Sequence, residues 1–296
     1  MASVAMRPLV AAGPVRRAAL RLPALGAGAR AAGGGAAAHT GAGEDATPGA
    51  GPLYRRAKRA LLQVIEQGAC APGTALPSEA ELARTLGVSI GTVRRAVDEL
   101  VADHILVRQQ GRGTFVAMHD AERFLFQFFH VERADGHRES PQVELLGFER
   151  LRLDADHAEA AEALEALRLR EGEPVFVVHN RLLLQGRPVV FDRIVLPALM
   201  FRGLTEKRLR ERPGTIYQLY QSEYAITVLR AAERARAVAA DRTAARVLGV
   251  APGAAVMQVR RTALTFGDKP VEYRVSTINT ARHDYVHVLS RPAGRG

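Results

Sequence analysis

The chain has 296 residues, enough for two domains of ordinary size, and its 41 Lys and Arg against 31 Asp and Glu leave a formal charge of +10. That excess favours an anionic partner without naming one. One cysteine, Cys70, excludes an intrachain disulfide framework and a thiol-rich metal site, and no stretch approaches the roughly 18 apolar residues of a membrane span.

Residues 1–51 are dominated by Ala, Gly, Pro and Arg, with no acidic residue before Glu44. Such a segment buries too little side chain to hold a fold, so a disordered tail is expected. An Arg-rich leader also resembles an organelle transit peptide, and a basic arm adding non-specific affinity for nucleic acid is a further reading.

From about Leu53 to Gln67 the pattern is helical, with Leu61, Leu62 and Ile65 expected in the core and Arg55, Arg56, Lys58 and Arg59 on a basic side. Pro77-Ser78 then reads as a loop ending on an N-cap, with Glu81 closing a capping box and Gly87 ending the helix. Ser89 caps the next helix, whose Val93, Val97 and Leu100 share one face while Thr92, Arg95 and Glu99 lie opposite and Arg94 sits at the border. Two strands follow, Ile105–Val107 and Thr114–Val116, around the turn Gln109–Gly113, where Gly111 and Gly113 permit positive φ and Arg108 and Arg112 flank a bare tip.

Positioning helix, turn, reading helix and basic hairpin make a winged helix-turn-helix over residues 52–117. Ser89, Ile90, Thr92 and Arg94 would come near base edges or phosphates, since an arginine fork meets guanine or phosphate with two parallel bonds. The hairpin would lie against the backbone or minor groove.

The ordered set Pro52-Leu53-Tyr54, Pro72-Gly73, Leu76-Pro77-Ser78-Glu79, Thr92-Val93-Arg94 and Gly111-Arg112-Gly113-Thr114-Phe115-Val116 resembles the DNA-binding domain of the GntR family of bacterial transcriptional regulators. The resemblance implies a homodimer on a short palindromic double-stranded operator, usually a repressor relieved by a ligand; with neither a membrane span nor a secretory pattern in the sequence, a cytoplasmic protein is expected. It implies DNA contacts by Tyr54, Ser78, Glu79, Ser89, Ile90, Thr92, Arg94, Arg95, Arg108, Gln110, Gly111, Arg112, Gly113 and Thr114. Ala80 and Ile90 stand where the family commonly has arginines. The half-site is therefore expected to differ from the common one, or affinity to rest more on the remaining arginines, with Ile90 able to touch a thymine methyl.

After a short linker at 118–122, Phe124, Phe126 and Phe128 alternate with other residues and predict a strand that opens a new core. Two later segments share one plan about 81 residues apart: helix, strand, turn, strand, over 155–194 and 237–278. That predicts one shared antiparallel sheet with helices over one side. Pro197, Gly203-Leu204-Thr205, the stretch Glu233–Ala240, Pro252-Gly253, Pro270–Arg274 and His283-Asp284-Tyr285 resemble the UTRA domain of the HutC-type branch of the same family, a fold related to chorismate lyase. The expected fold class is thus α+β, a winged helix-turn-helix plus a chorismate-lyase-like sheet domain at 123–290, with 291–296 a tail.

Glu272 and Arg274 share one face of a strand with Tyr273 on the other. Arg181, among Leu and Val, and Glu233, in an apolar stretch, want partners, because a charge among aliphatics must be matched by another side chain or by a ligand. These four, with Asp192, Arg193 and Tyr285, are the candidate ligand-binding residues, and the family resemblance adds Arg138 and Ser140 in the GHRES loop. The expected ligand is a small anionic or zwitterionic metabolite; the alternative is a ligand-independent regulator whose second domain only dimerises. An enzyme is not expected: the histidines have no metal spacing, no Gly-rich phosphate loop follows a strand, Cys70 has no evident partner histidine, and no cofactor is implied.

Overall fold

A computed structural model describes residues 52–119 and 127–287, together with Leu22 and Leu25. The expectations for the rest of 1–51, for 120–126 and for 291–296 lie outside the described residues. The chain divides into two compact units, Met1–Ala117 and Met118–Gly296.

In the first unit three helices, α1 (Leu53–Glu66), α2 (Glu79–Leu86) and α3 (Ile90–Ala102), precede a hairpin of β1 (Leu106–Gln109) and β2 (Gly113–Val116). Both caps form as the sequence implies. Ser78 Oγ accepts from Glu81 N at 3.2 Å, Glu81 returns a carboxylate to Ser78 N at 2.8 Å, and Ser89 Oγ accepts from Thr92 N at 3.2 Å. Gly87 ends α2 at φ 66°. The core takes Leu61, Leu82, Leu86, Val93, Val97 and Leu100. Leu62 is only half-buried, because Ala57, Ala60 and Val64 complete the buried stripe of α1 instead. Cys70 is buried, and burial pushes its thiol up to about 11, so it stays protonated near neutral pH.

In the second unit six strands form one antiparallel sheet, β4 (Gln142–Arg152), β5 (Pro174–Leu184), β6 (Arg187–Pro197), β7 (Arg230–Ala239), β8 (Ala255–Leu264) and β9 (Pro270–Ile278), in the order β4-β5-β6-β9-β8-β7. The two repeats meet at β6 and β9, where Asp192 stands opposite Ser276. Helix α4 (Ala158–Leu167) belongs to the first repeat and α7 (Arg242–Leu248) to the second. Both cover one face, through Val175, Val177, Val195 and Tyr273 under α4 and Phe191 and Val256 under α7.

The expectation of helices on one side only is corrected. The other face is covered by α5 (Glu206–Glu211) and α6 (Ile216–Tyr224), which bury Leu209, Tyr217 and Tyr220 against Val178, Ile194 and Val271. The strand predicted over the phenylalanine run is corrected where it can be seen: Gln127 is helical, Phe128 lies in a turn, and Phe128 and Phe129 are buried in this same layer. The short strand comes after them, as β3 (Val131–Arg133), paired antiparallel with β10 (His283–Tyr285).

Candidate nucleic-acid interface and effector cleft

The amino-terminal turn of α3 presents Ser89, Ile90 and Arg94 to solvent, with Thr92 half-buried beside Ser89. Glu79, at the start of α2, holds two of the predicted DNA-contacting arginines, Arg94 at 2.9 Å and Arg108 at 3.2 Å, and Arg108 also reaches Asp98 at 2.6 Å. Arg95 lies over the Tyr54 ring at 3.9 Å, which fixes its guanidinium beside α1. Gln110, Gly111, Arg112 and Gly113 form an exposed tip, with Gly111 at φ 71° and Gly113 at φ 116°, while Thr114 gives its carbonyl to Leu76 N. Ser78 spends its hydroxyl on the capping box, and Lys58, on the basic side of α1, is paired with Glu99 and Asp103. This surface can offer a helix amino terminus, four exposed arginines and a bare backbone tip to a duplex.

Within the second unit, alternation along β5, β6 and β9 sorts the predicted ligand residues by face. Asn180, Leu182, Asp192 and Arg274 point into the layer under α6, where, with Ser140, Arg212 and Thr215, they line a cavity of about 190 Å³. A second, smaller cavity of about 20 Å³ shares Asp192 and Arg274 and adds His130, Arg261, Ser276 and Tyr285. Arg181 and Arg193 line neither cavity, because each sits one residue out of phase with its inward-facing neighbours. Arg181 pairs across the strands with Glu144 at 2.5 Å and stays about one-third exposed. Arg193 stands opposite His179 on the face of α4 and α7, and burial first, then the Arg193 charge, pulls the His179 pKa down.

Glu272 lies behind the cavity wall. Wholly buried, it accepts from Tyr217 Oη at 3.0 Å, Tyr220 Oη at 2.7 Å, and Arg274 Nε at 2.9 Å and Nη2 at 3.0 Å. Asp192 takes the remaining side of Arg274 at 3.2 Å and a hydrogen bond from Ser276 at 2.5 Å. Burial opposes the Arg274 charge, yet Glu272 and Asp192 together hold its pKa well above the ordinary value. A parallel cluster joins Glu233 to Arg261 at 2.5 Å and to the Tyr285 hydroxyl. His130 stacks edge-on against Tyr285, and burial drives its pKa down to about 4. Arg138 is paired with Glu132 at 2.5 Å.

Sequence reasoning missed Asn180, Arg212, Thr215 and Arg261. The repeat carried a signal for two of them: Asn180 and Arg261 hold matching positions in β5 and β8, as Asp192 and Arg274 do four residues after Pro188 and Pro270. All four are buried polar groups on the same face. Nothing in the loop before α6 marked Arg212 in advance. Among the described residues no group of His, Cys, Asp or Glu is placed to hold a metal ion, and no helix is long and apolar enough to cross a membrane.

Comparison with known proteins agrees with both halves of this description. The family model for bacterial regulatory proteins of the gntR family matches residues 53–116, and that for the UTRA domain matches residues 138–284. The histidine utilization repressor of Pseudomonas putida is 34% identical over 234 residues, covering 75% of this chain and 86% of that protein. The transcriptional repressor NagR of Bacillus subtilis is 27% identical over 245 residues, covering 81% and 96%. Among solved structures, the ligand-binding domain of a Bordetella bronchiseptica protein assigned to the GntR family as a transcriptional regulator superposes with a TM-score of 0.51 at 33% identity, covering 56% of this chain and 99% of that one. The capped reading helix, its basic hairpin and the six-stranded sheet domain therefore have one common context, and the chain belongs to the GntR family of bacterial regulatory proteins with a UTRA domain.

Proposed function

We propose that the protein is a sequence-specific, double-stranded DNA-binding repressor of the HutC-type branch, acting as a homodimer whose operator binding is modulated by a small anionic or zwitterionic metabolite. The observation that carries the reading is the presence of an exposed reading helix capped by Ser89 in one unit and of a cavity walled by buried charge in the other. Resemblance to histidine utilization repressors supports the branch and a metabolite of a catabolic route. Ser140, Asp192 and Arg274 are the proposed ligand contacts among the residues first singled out, with Glu272 orienting Arg274 from behind. The Tyr217 ring, bonded to Glu272, lies 5.8 Å from the buried ring of His119, two residues past the first unit. A ligand that displaces Arg274 would be felt there. It acts only if it prefers one of two states, since equal affinity for both shifts nothing.

In a gel-shift assay on a selected duplex, a metabolite that binds the second unit is expected to change the affinity of the full chain by about five- to 150-fold. Metabolites that bind and leave DNA affinity unaltered would favour the ligand-independent reading instead.

A further inference from the structure

Two neighbouring residues at the start of the reading helix have no role inside the protein. Ile90 opens α3 and is 46% exposed, while the buried stripe of that helix is Val93, Ala96, Val97 and Leu100. A single exposed aliphatic is ordinary on a protein surface. The residue that follows it is not. Gly91 is the second residue of the same helix, exposed, with φ outside the left-handed region. A Cβ there would meet nothing nearer than Ser89 Oγ at 3.9 Å. Neither backbone conformation nor packing within the protein calls for glycine at this place, and glycine is a poor helix former. The remaining reason for a bare backbone is the close approach of another molecule.

The polar groups around this pair are already used. Ser89 Oγ accepts from Thr92 N at 3.2 Å and lies 2.9 Å from the Thr92 hydroxyl. Arg95 is laid over the Tyr54 ring at 3.9 Å, on the side of α1. The foremost surface of the helix is therefore the Ile90 side chain beside the bare Gly91 backbone. Arg94 is four residues on from Ile90, so the two side chains share one face about 6 Å apart along the axis. Successive bases of a DNA strand are about 3.4 Å apart, so a guanine under Arg94 leaves a base within about two steps for Ile90. In the major groove thymine alone among the four bases presents a methyl group, and it meets an aliphatic side chain by apolar contact. A purine offers only hydrogen-bonding atoms on that edge, and isoleucine would strip these of water without replacing it.

Resting on the operator-binding reading above, we infer that Ile90 is a specificity-determining residue that reads the 5-methyl group of a pyrimidine in each half-site, with Gly91 letting the helix sit close enough for the contact. Recognition is by the methyl and not by the pairing edge. The same group carried on cytosine is therefore read as well, and its removal from thymine is felt although base pairing is kept.

The test uses the full chain and the duplex it selects from a random pool. Each thymine of the half-site is replaced in turn by deoxyuridine, which deletes only the methyl. One position is expected to lose affinity about fourfold per half-site, the worth of burying one such group. At that position 5-methylcytosine should bind about fourfold more tightly than cytosine, for the same reason. Both differences should vanish in Ile90→Ala, which melts as the parent does because the side chain is not part of the core. Gly91→Ala should melt at or above the parent and bind every duplex more weakly. The inference is overturned if no thymine-to-deoxyuridine change alters affinity, if Ile90→Ala keeps the parent's methyl preference, or if Gly91→Ala binds as tightly as the parent or melts below it. A selected motif without a fixed thymine overturns it as well, whereas a pool with no enriched motif removes the operator-binding reading itself.

Discussion

Replacing Glu272 by alanine is expected to destabilise the second unit by about 3–5 kcal/mol, the usual cost of removing one partner from a buried ion pair. Its two oxygens accept four hydrogen bonds with no exposure to solvent. The truncation removes the carboxylate that accepts from two buried tyrosine hydroxyls and leaves Arg274 with Asp192 as its one carboxylate. Burial, followed by the charge of Glu272, already raises the pKa of Tyr217 and Tyr220, so neither ionises to compensate. Urea denaturation of the full chain, followed by a probe of the second unit, measures the loss. The variant Glu272→Gln should lose less, because Arg274 keeps Asp192 as its carboxylate and the amide oxygen still accepts a hydrogen bond. A loss below about 1 kcal/mol for Glu272→Ala would show that water reaches this cluster and that Arg274 is not held in place as described.

The second large effect concerns the reading surface. Arg94→Ala is expected to relax preference at one operator position at a cost of about 1–3 kcal/mol, whereas Arg112→Ala should weaken all duplexes more evenly. Arg94 is paired with Glu79 in the free protein, but its side chain is 63% exposed. A surface ion pair of this kind is worth about 0–1 kcal/mol, less than a bidentate contact to guanine, so the exchange of Glu79 for a base edge is favourable. Arg112 stands on the hairpin tip, where its reach is to phosphate or minor groove and not to a fixed base. Affinities of both variants for single-position variants of the selected duplex separate these outcomes. Unchanged affinity and unchanged preference in both would remove Arg94 and Arg112 from the interface.

The first unit was legible because its signals are local. Ser78 with Glu81, Gly87, Ser89 and the hairpin glycines each act within a few residues, and each set the boundary it implies. In the second unit the repeat gave the paired strands and α4 and α7, since a helix–strand–turn–strand plan is visible in sequence. What it could not give was the second layer. Helix α6 reads IYQLYQSEY, an aromatic and polar stretch of nine residues whose packing against Glu272 depends on contacts more than fifty residues away. Side-chain phase was the other failure. Arg181 and Asp192 both look like charges stranded among aliphatics, and only the register decides that Asp192 turns into the cavity while Arg181 meets Glu144 outside it. Arg212 carried no signal, for its place on the cavity wall is a property of the folded chain alone.

The reading of the protein as a site-specific repressor stands most directly on one measurement, selection of bound duplexes from a random pool by the folded full chain. The account predicts an enriched inverted repeat whose half-site centres lie about 34 Å apart along the duplex, with affinity falling steeply as salt rises and phosphate-bound counterions are released. Recovery of a pool with no enriched motif, from protein shown to be folded in the same buffer, would contradict it.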